Sequence, residues 1–164
     1  MDARALSAAA GVDVGTVNAW ISRGYVPSLT PDAQGRRRDF DIESATHIAI
    51  MAELSRLKIG APLASEIASH ARKQDDETVV IMPPVTRPHP TEAGMSVTNM
   101  RTVFVKKERD VPKTLTGIRK DAEAQNQQPP TIFVLVDIKR LTARMRAAHQ
   151  EWERQQARDT KADG

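Results

Sequence analysis

The chain has 164 residues, 40% hydrophobic and 27% charged, which suits one medium globular domain or two small ones. It holds no cysteine, so disulfides, thiolate metal sites and thiol redox switches are excluded. Lys plus Arg number 24 against 21 Asp plus Glu, and a net charge of +3 is too weak to name a nucleic-acid partner by itself.

Residues 3–73 read as helices with short joints. Ala3–Ala10 is a short helix, closed by Gly11 in the left-handed conformation. Asp13 stands at an N-cap position, where its carboxylate accepts from the amides of the following turn. The helix it opens runs to about Ser22 and ends at Gly24. "PSLTPDAQGRRRDF" is a loop or hairpin by its prolines, Gly and polar residues. Asp41 caps a third helix, "DIESATHIAIMAELSRL", and a fourth begins at Pro62, whose missing N–H costs nothing in a first turn. Leu63, Ala64, Ile67, Ala68 and Ala71 give the fourth helix one apolar face. On the third, Ile42, Ala45, Ile48, Ala49 and Ala52 lie to one side and Ile50, Met51 and Leu54 to others. Such a helix needs cover from more than one direction: the N-terminal core on one side, the C-terminal part or a second subunit on another.

From "KQDDE" (73–77) the character changes. "TVVIM" (78–82), "SVTNMRTVFVKK" (96–107) and "TIFVLVDI" (131–138) are rich in β-branched residues and read as strands. The last is apolar on both faces up to Asp137, which predicts a position inside a sheet. "PPVTRPHP" reads as a proline-rich loop. In "PKTLTGIRKDAEAQNQQPP", Leu115, Ile118 and Ala122 share a face and predict a short helix. A last helix spans 139–158, and "DTKADG" is expected to fray. Its stripe Ile138, Leu141, Met145, Ala148 and Trp152 has coiled-coil spacing, but equally suits packing on its own sheet. The expected fold class is α+β: a mainly helical domain at 1–73, a small mixed sheet-and-helix unit at 78–158 for pairing or sensing, and a disordered tail at 159–164.

The first two helices carry the functional signal. Ser7 lies four residues before Gly11, and Val12, Val17 and Trp20 follow at helical spacing. A small residue at the crossing, Gly in the turn and bulky apolar groups on the second helix describe a helix-turn-helix, whose second helix enters the major groove. Trp20 then belongs to the core, and Gly15, Thr16, Asn18, Ala19 and Ser22 face outward, small or hydrogen-bonding as base-edge contact requires.

In "GVDVGTVNAW", "RGYVP", the Gly-Arg pair of "GRRRDF" and "LKIGAPLASEI", in that order, residues 3–71 resemble the winged helix-turn-helix domain of the MerR family. The resemblance covers under half the chain. It implies that residues 26–38 form a wing whose Arg36, Arg37 and Arg38 meet phosphates. The candidate DNA-binding set is Val14, Gly15, Thr16, Asn18, Arg23, Tyr25, Arg36, Arg37 and Arg38. Tyr25 is open to a second role, packing against Phe40. Three departures stand out. Family members often carry Arg followed by two aromatics on the recognition helix, where this chain has Asn18; Asp39 lengthens the wing; and the Cys ligands of the metal- and redox-sensing members are missing.

The expected function is a sequence-specific regulator of transcription, binding double-stranded DNA as a homodimer on paired half-sites. Two alternatives use the same residues: an architectural factor of a phage or mobile element, like an excisionase or small terminase subunit, and a protein-interaction adaptor that has lost DNA. His47, His70, His89 and His149 have no partner at ligand spacing, and "QDDE" reads as an acidic solvated turn. No phosphate-binding Gly loop, Cys/His pair or Ser nucleophile motif is present, so neither an enzyme nor a cofactor or metal is expected, and no effector is identified. No run approaches the ~20 apolar residues of a membrane span. Asp2 and the short apolar stretch of "MDARALSAAAGV" argue against a secretion signal, so a cytoplasmic, nucleoid-associated protein is expected.

Overall fold

A computed structural model describes residues 1–27, 39–71, 79–82, 84–88, 96–100, 103–105, 107–126, 129–130 and 133–162. The chain divides into two compact units, one of residues 1–73 with 139–164 and one of residues 74–138.

The first unit is helical. Helices α1 (Ala3–Ala10), α2 (Val14–Ser22), α3 (Ile42–Arg56) and α4 (Ala61–Ala71) follow one another, and α6 (Ile138–Ala162) completes the unit from residue 139 on. Aspartates open the first three. Asp2, Asp13 and Asp41 accept from the backbone N–H of Ala5, Thr16 and Ser44 at 2.9, 2.8 and 2.7 Å. Gly60 precedes α4 and its carbonyl accepts from Ala64 N–H, with Ala61 first and Pro62 second in the helix. That places Pro62 one position later than its spacing predicts, still inside the turn that needs no N–H from it.

Helix α3 is the axis of this unit. Ten of its residues are buried, including Ile48, Ala49, Ile50, Met51 and Leu54. A helix buried on this many sides needs neighbours on more than one face, and α1 and α4 both pack on it. Between α2 and α3, Phe40 is buried and exchanges backbone bonds with Met1: Phe40 N–H donates to Met1 C=O and the Met1 amino group to Phe40 C=O, each at 2.8 Å. On α6, Leu141, Thr142 and Met145 are buried, Ala148 and Trp152 are half-buried, and Arg144 pairs with Glu53 of α3 at 3.1 Å. The apolar stripe of α6 thus fades from its first half to its last turns. The helix continues to Ala162, through the stretch from 159 expected to fray.

The second unit holds β1 (Val79–Met82), β2 (Pro84–Pro88), β3 (Ser96–Met100), β4 (Val103–Val105), a 3-10 turn (Glu108–Asp110), α5 (Val111–Ala124) and β5 (Val134–Asp137). Strands β4, β1 and β5 pair antiparallel in that order, and β2 pairs antiparallel with β3. Val111, Leu115 and Ile118 of α5 pack with Val103 and Phe133 around the buried Val105.

The expected α+β class with a mixed sheet is overturned. Among the described residues, six helices, up to 25 residues long, make this an all-α fold in class, with short strands of three to five residues, paired antiparallel, as an accessory. Among the described residues, the largest fully buried side chains, from Met1 to Met145, all belong to the helical unit. Other expectations change with it. The proline-rich "loop" forms β2, with Val85, Thr86 and Arg87 registered on Asn99, Thr98 and Val97. Its prolines fall at the two ends of an edge strand, where a missing N–H is tolerated. The single strand expected at 96–107 is two strands in different sheets. β5 lies at a sheet edge, not inside, and Leu135 on it is half exposed. The last helix, expected in a unit spanning 78–158, groups with the N-terminal helices.

Candidate nucleic-acid interface

The candidate surface begins at the turn between α1 and α2. Gly11 has φ 66°, a region costly for any residue with a Cβ. Its N–H donates to Ala8 C=O and Val12 N–H to Ser7 C=O, the paired bonds that close a helix on a left-handed residue. The same device ends α2: Gly24, at φ 74°, donates to Ile21 C=O and Tyr25 N–H to Trp20 C=O, both at 2.9 Å.

Between these two stops, α2 is sharply divided. Val17 and Ile21 are fully buried and Trp20 is 5% exposed. Burial of each such side chain stabilises the fold by roughly 1.5–3 kcal/mol, which fixes the rotation of the helix. The opposite face is then solvent-facing. Gly15, Asn18, Ser22 and Arg23 are exposed, and Val14, Thr16, Ala19 and Tyr25 are half-buried. Arg36, Arg37 and Arg38 lie outside the described residues.

Not every outward polar group is equally available. The Thr16 hydroxyl donates to the Asp13 carboxylate, which also accepts Thr16 N–H. Those two bonds hold the Asp13 carboxyl below the usual carboxylate value. Ser22 Oγ donates back to Ala19 C=O at 3.0 Å. Gly15 leaves room for the cap, since a Cβ there would stand 3.0 Å from Asp13 Oδ1. Asn18 is therefore the exposed amide on the outer face of α2, and an ionised Asp13 stands at the leading end of its helix.

Five residues that the sequence did not single out for this surface position it. Arg56, at the end of α3, donates from Nη2 to the carbonyls of Ala10 and Gly11, each at 2.8 Å. Its Nη1 pairs with Glu53 Oε2 at 2.6 Å, and Glu53 Oε1 takes Arg144 of α6 at 3.1 Å. Burial opposes the charge on Glu53, and the bonds from Arg56 and Arg144 outweigh it, leaving its carboxyl below the ordinary value. At the other end of α2, Tyr25 C=O accepts from Ser65 Oγ of α4 at 2.6 Å and lies 2.8 Å from His47 Nε2 of α3. That contact needs the proton on Nε2, because a carbonyl can only accept. His47 is fully buried and structural, as its apolar neighbours in the sequence suggest. Glu53 and Arg56 stand three apart on α3, a spacing that could have signalled their ion pair, while the reach of Arg56 across 45 residues has no local signal.

Among the described residues, no group of three or more His, Asp or Glu could hold a metal ion, and no helix is long and apolar enough to cross a membrane. No protein-family model and no curated protein matches the chain.

Proposed function

We propose that this chain is a DNA-binding regulator of transcription that lays α2 in the major groove and works as a homodimer on paired half-sites. One observation carries the reading: Trp20, Val17 and Ile21 are buried inward while Gly15, Asn18 and Ser22 stand in solvent on the same helix. The resemblance of residues 3–71 to MerR-type winged helices agrees with that division. Asn18 pairs with an adenine edge, exposed Arg23 lies beside the backbone, and Arg36, Arg37 and Arg38 neutralise phosphates. Thr16, bonded to its own cap, helps shape the helix end and contributes less to base choice.

The test is sequence selection from random duplexes, followed by fluorescence anisotropy on the selected site. Wild-type protein is expected to bind, and to lose about 10³-fold in affinity between 50 and 200 mM salt if it makes about six phosphate contacts. Asn18→Ala should cost roughly 1–3 kcal/mol and flatten preference at one base pair.

A second reading, the protein-interaction adaptor, is favoured by one specific feature. The ionised Asp13 sits at the front of α2, and no cation stands on the outer face between it and Arg23. Undiminished low-salt DNA affinity in a variant with Asn18→Ala, Arg36→Ala and Arg37→Ala would select the adaptor.

A further inference from the structure

We infer that Glu53 is a positioning residue that couples the last helix to the turn in front of the recognition helix. Four charge-assisted links make three steps, the last of them doubled. Arg144 of α6 holds Glu53 Oε1, Glu53 Oε2 holds Arg56 Nη1, and Arg56 Nη2 holds the carbonyls of Ala10 and Gly11. The carbonyls belong to the joint that sets the angle between α1 and α2. Every acceptor on the path is matched to a donor of fixed shape. The carboxylate presents one oxygen to each arginine, and a planar guanidinium spans the carboxylate on one side and two carbonyls on the other.

Gly11 completes the device from the other side. A Cβ at Gly11 would collide with Arg56 Nη2, so the absence of a side chain admits the guanidinium to the turn. The turn therefore needs glycine for a reason beyond its left-handed backbone. Arg56 in turn needs Glu53, because the carboxylate is the only charged partner the described residues give it. When Arg144 withdraws, Glu53 keeps only Arg56 and gains freedom to swing, so the brace that holds Arg56 over the turn loosens. α6 thereby bears on the seating of α2 through the turn at Ala10 and Gly11.

The groups are partly exposed, at 28% for the Glu53 side chain and 45% and 44% for Arg56 and Arg144, so the coupling is modest. The inference concerns the site under the proposed function, and its primary readout does not depend on DNA. Native-state amide exchange is measured on the full chain for wild type, Arg144→Ala, Glu53→Gln and Arg56→Lys. Arg144→Ala is expected to speed exchange at the Gly11 and Val12 amides by about 2- to 5-fold, the range of surface ion-pair energies, with the amides of α4 unchanged. Glu53→Gln should produce the same local effect, and adding Arg144→Ala to it should produce little more. Arg56→Lys should fail to restore protection, because an ammonium cannot span the carboxylate and both carbonyls. Arg154→Ala removes a cation from the same helix, paired there with Glu151, and serves as the control. Equal exchange at Gly11 and Val12 in wild type and Arg144→Ala overturns the relay, as does an Arg154→Ala effect of the same size. A protein that binds no DNA but shows the local exchange response loses the proposed function and keeps the relay.

Discussion

Replacing Gly11 by alanine tests the helix-turn-helix joint most directly, because two separable penalties meet at one atom. The backbone there has φ 66°, and moving a residue with a Cβ into that region costs roughly 1–2 kcal/mol. The new methyl also collides with Arg56 Nη2, which must leave the Ala10 and Gly11 carbonyls. Hydrogen bonds from a charged donor are worth up to roughly 1.5–3 kcal/mol, but Arg56 is 45% exposed, so about 1 kcal/mol is the fitting figure for their loss. Gly11→Ala is therefore expected to lower stability by about 2–3 kcal/mol in urea denaturation, with an unchanged m value. In an Arg56→Ala background the collision is gone and only the backbone penalty, about 1–2 kcal/mol, should remain. Gly11→Asn separates the same parts differently, since Asn tolerates the left-handed region but still brings a Cβ. Equal costs for Gly11→Ala with and without Arg56 would refute the claim that the guanidinium occupies the glycine's side-chain space.

Three further outcomes are expected. Asp13 titrates low because the Thr16 hydroxyl and amide donate to it, so its contribution to stability is complete above the ordinary value of 3.8 and is lost as pH falls through the depressed value. Acid titrations of wild type and Asp13→Asn, whose amide caps without ionising, should diverge in that window and run parallel at neutral pH; parallel curves throughout would exclude the cap. Ser7 is 7% exposed and its hydroxyl has no partner among the described residues, so Ser7→Ala should raise stability by about 1 kcal/mol in urea, and a loss would show that the hydroxyl is satisfied. Trp20→Ala should cost roughly 3–5 kcal/mol, while Asn18→Ala should stay within about 0.5 kcal/mol; comparable costs for the two would invert the assigned faces of α2.

Local chemistry made the helical part of this fold legible before any coordinates. Asp13 and Asp41 cap, Gly11 and Gly24 take positive φ, and Trp20 turns inward, all of which depend on residues within a turn or two of each other. The strand unit misled for a related reason. β-branched composition signals an extended backbone but carries no information on its neighbours, so it could not show that β5 is an edge or that 96–107 divides between two sheets. Prolines argued against β2, yet an edge position removes the objection. The class itself depends on where the core lies, and Phe40, Ile48, Met51 and Met145 place it among helices. Of the candidate site, the outward face of α2 could be read from spacing. The supports at its two ends could not, because Arg56, His47 and Ser65 reach it through tertiary contacts spanning 22 to 46 residues.

The carbonyl of Tyr25 is shared between a histidine on one helix and a serine on another. In mechanical language it is a rivet, fastening the trailing end of α2 to two separate plates. Tension applied to the chain downstream of Pro27 would be delivered to α3 and α4 before it could twist α2. The outer face of α2 is thus insulated from whatever tugs on the segment behind it, and adjustments of its pitch arrive from the Gly11 end.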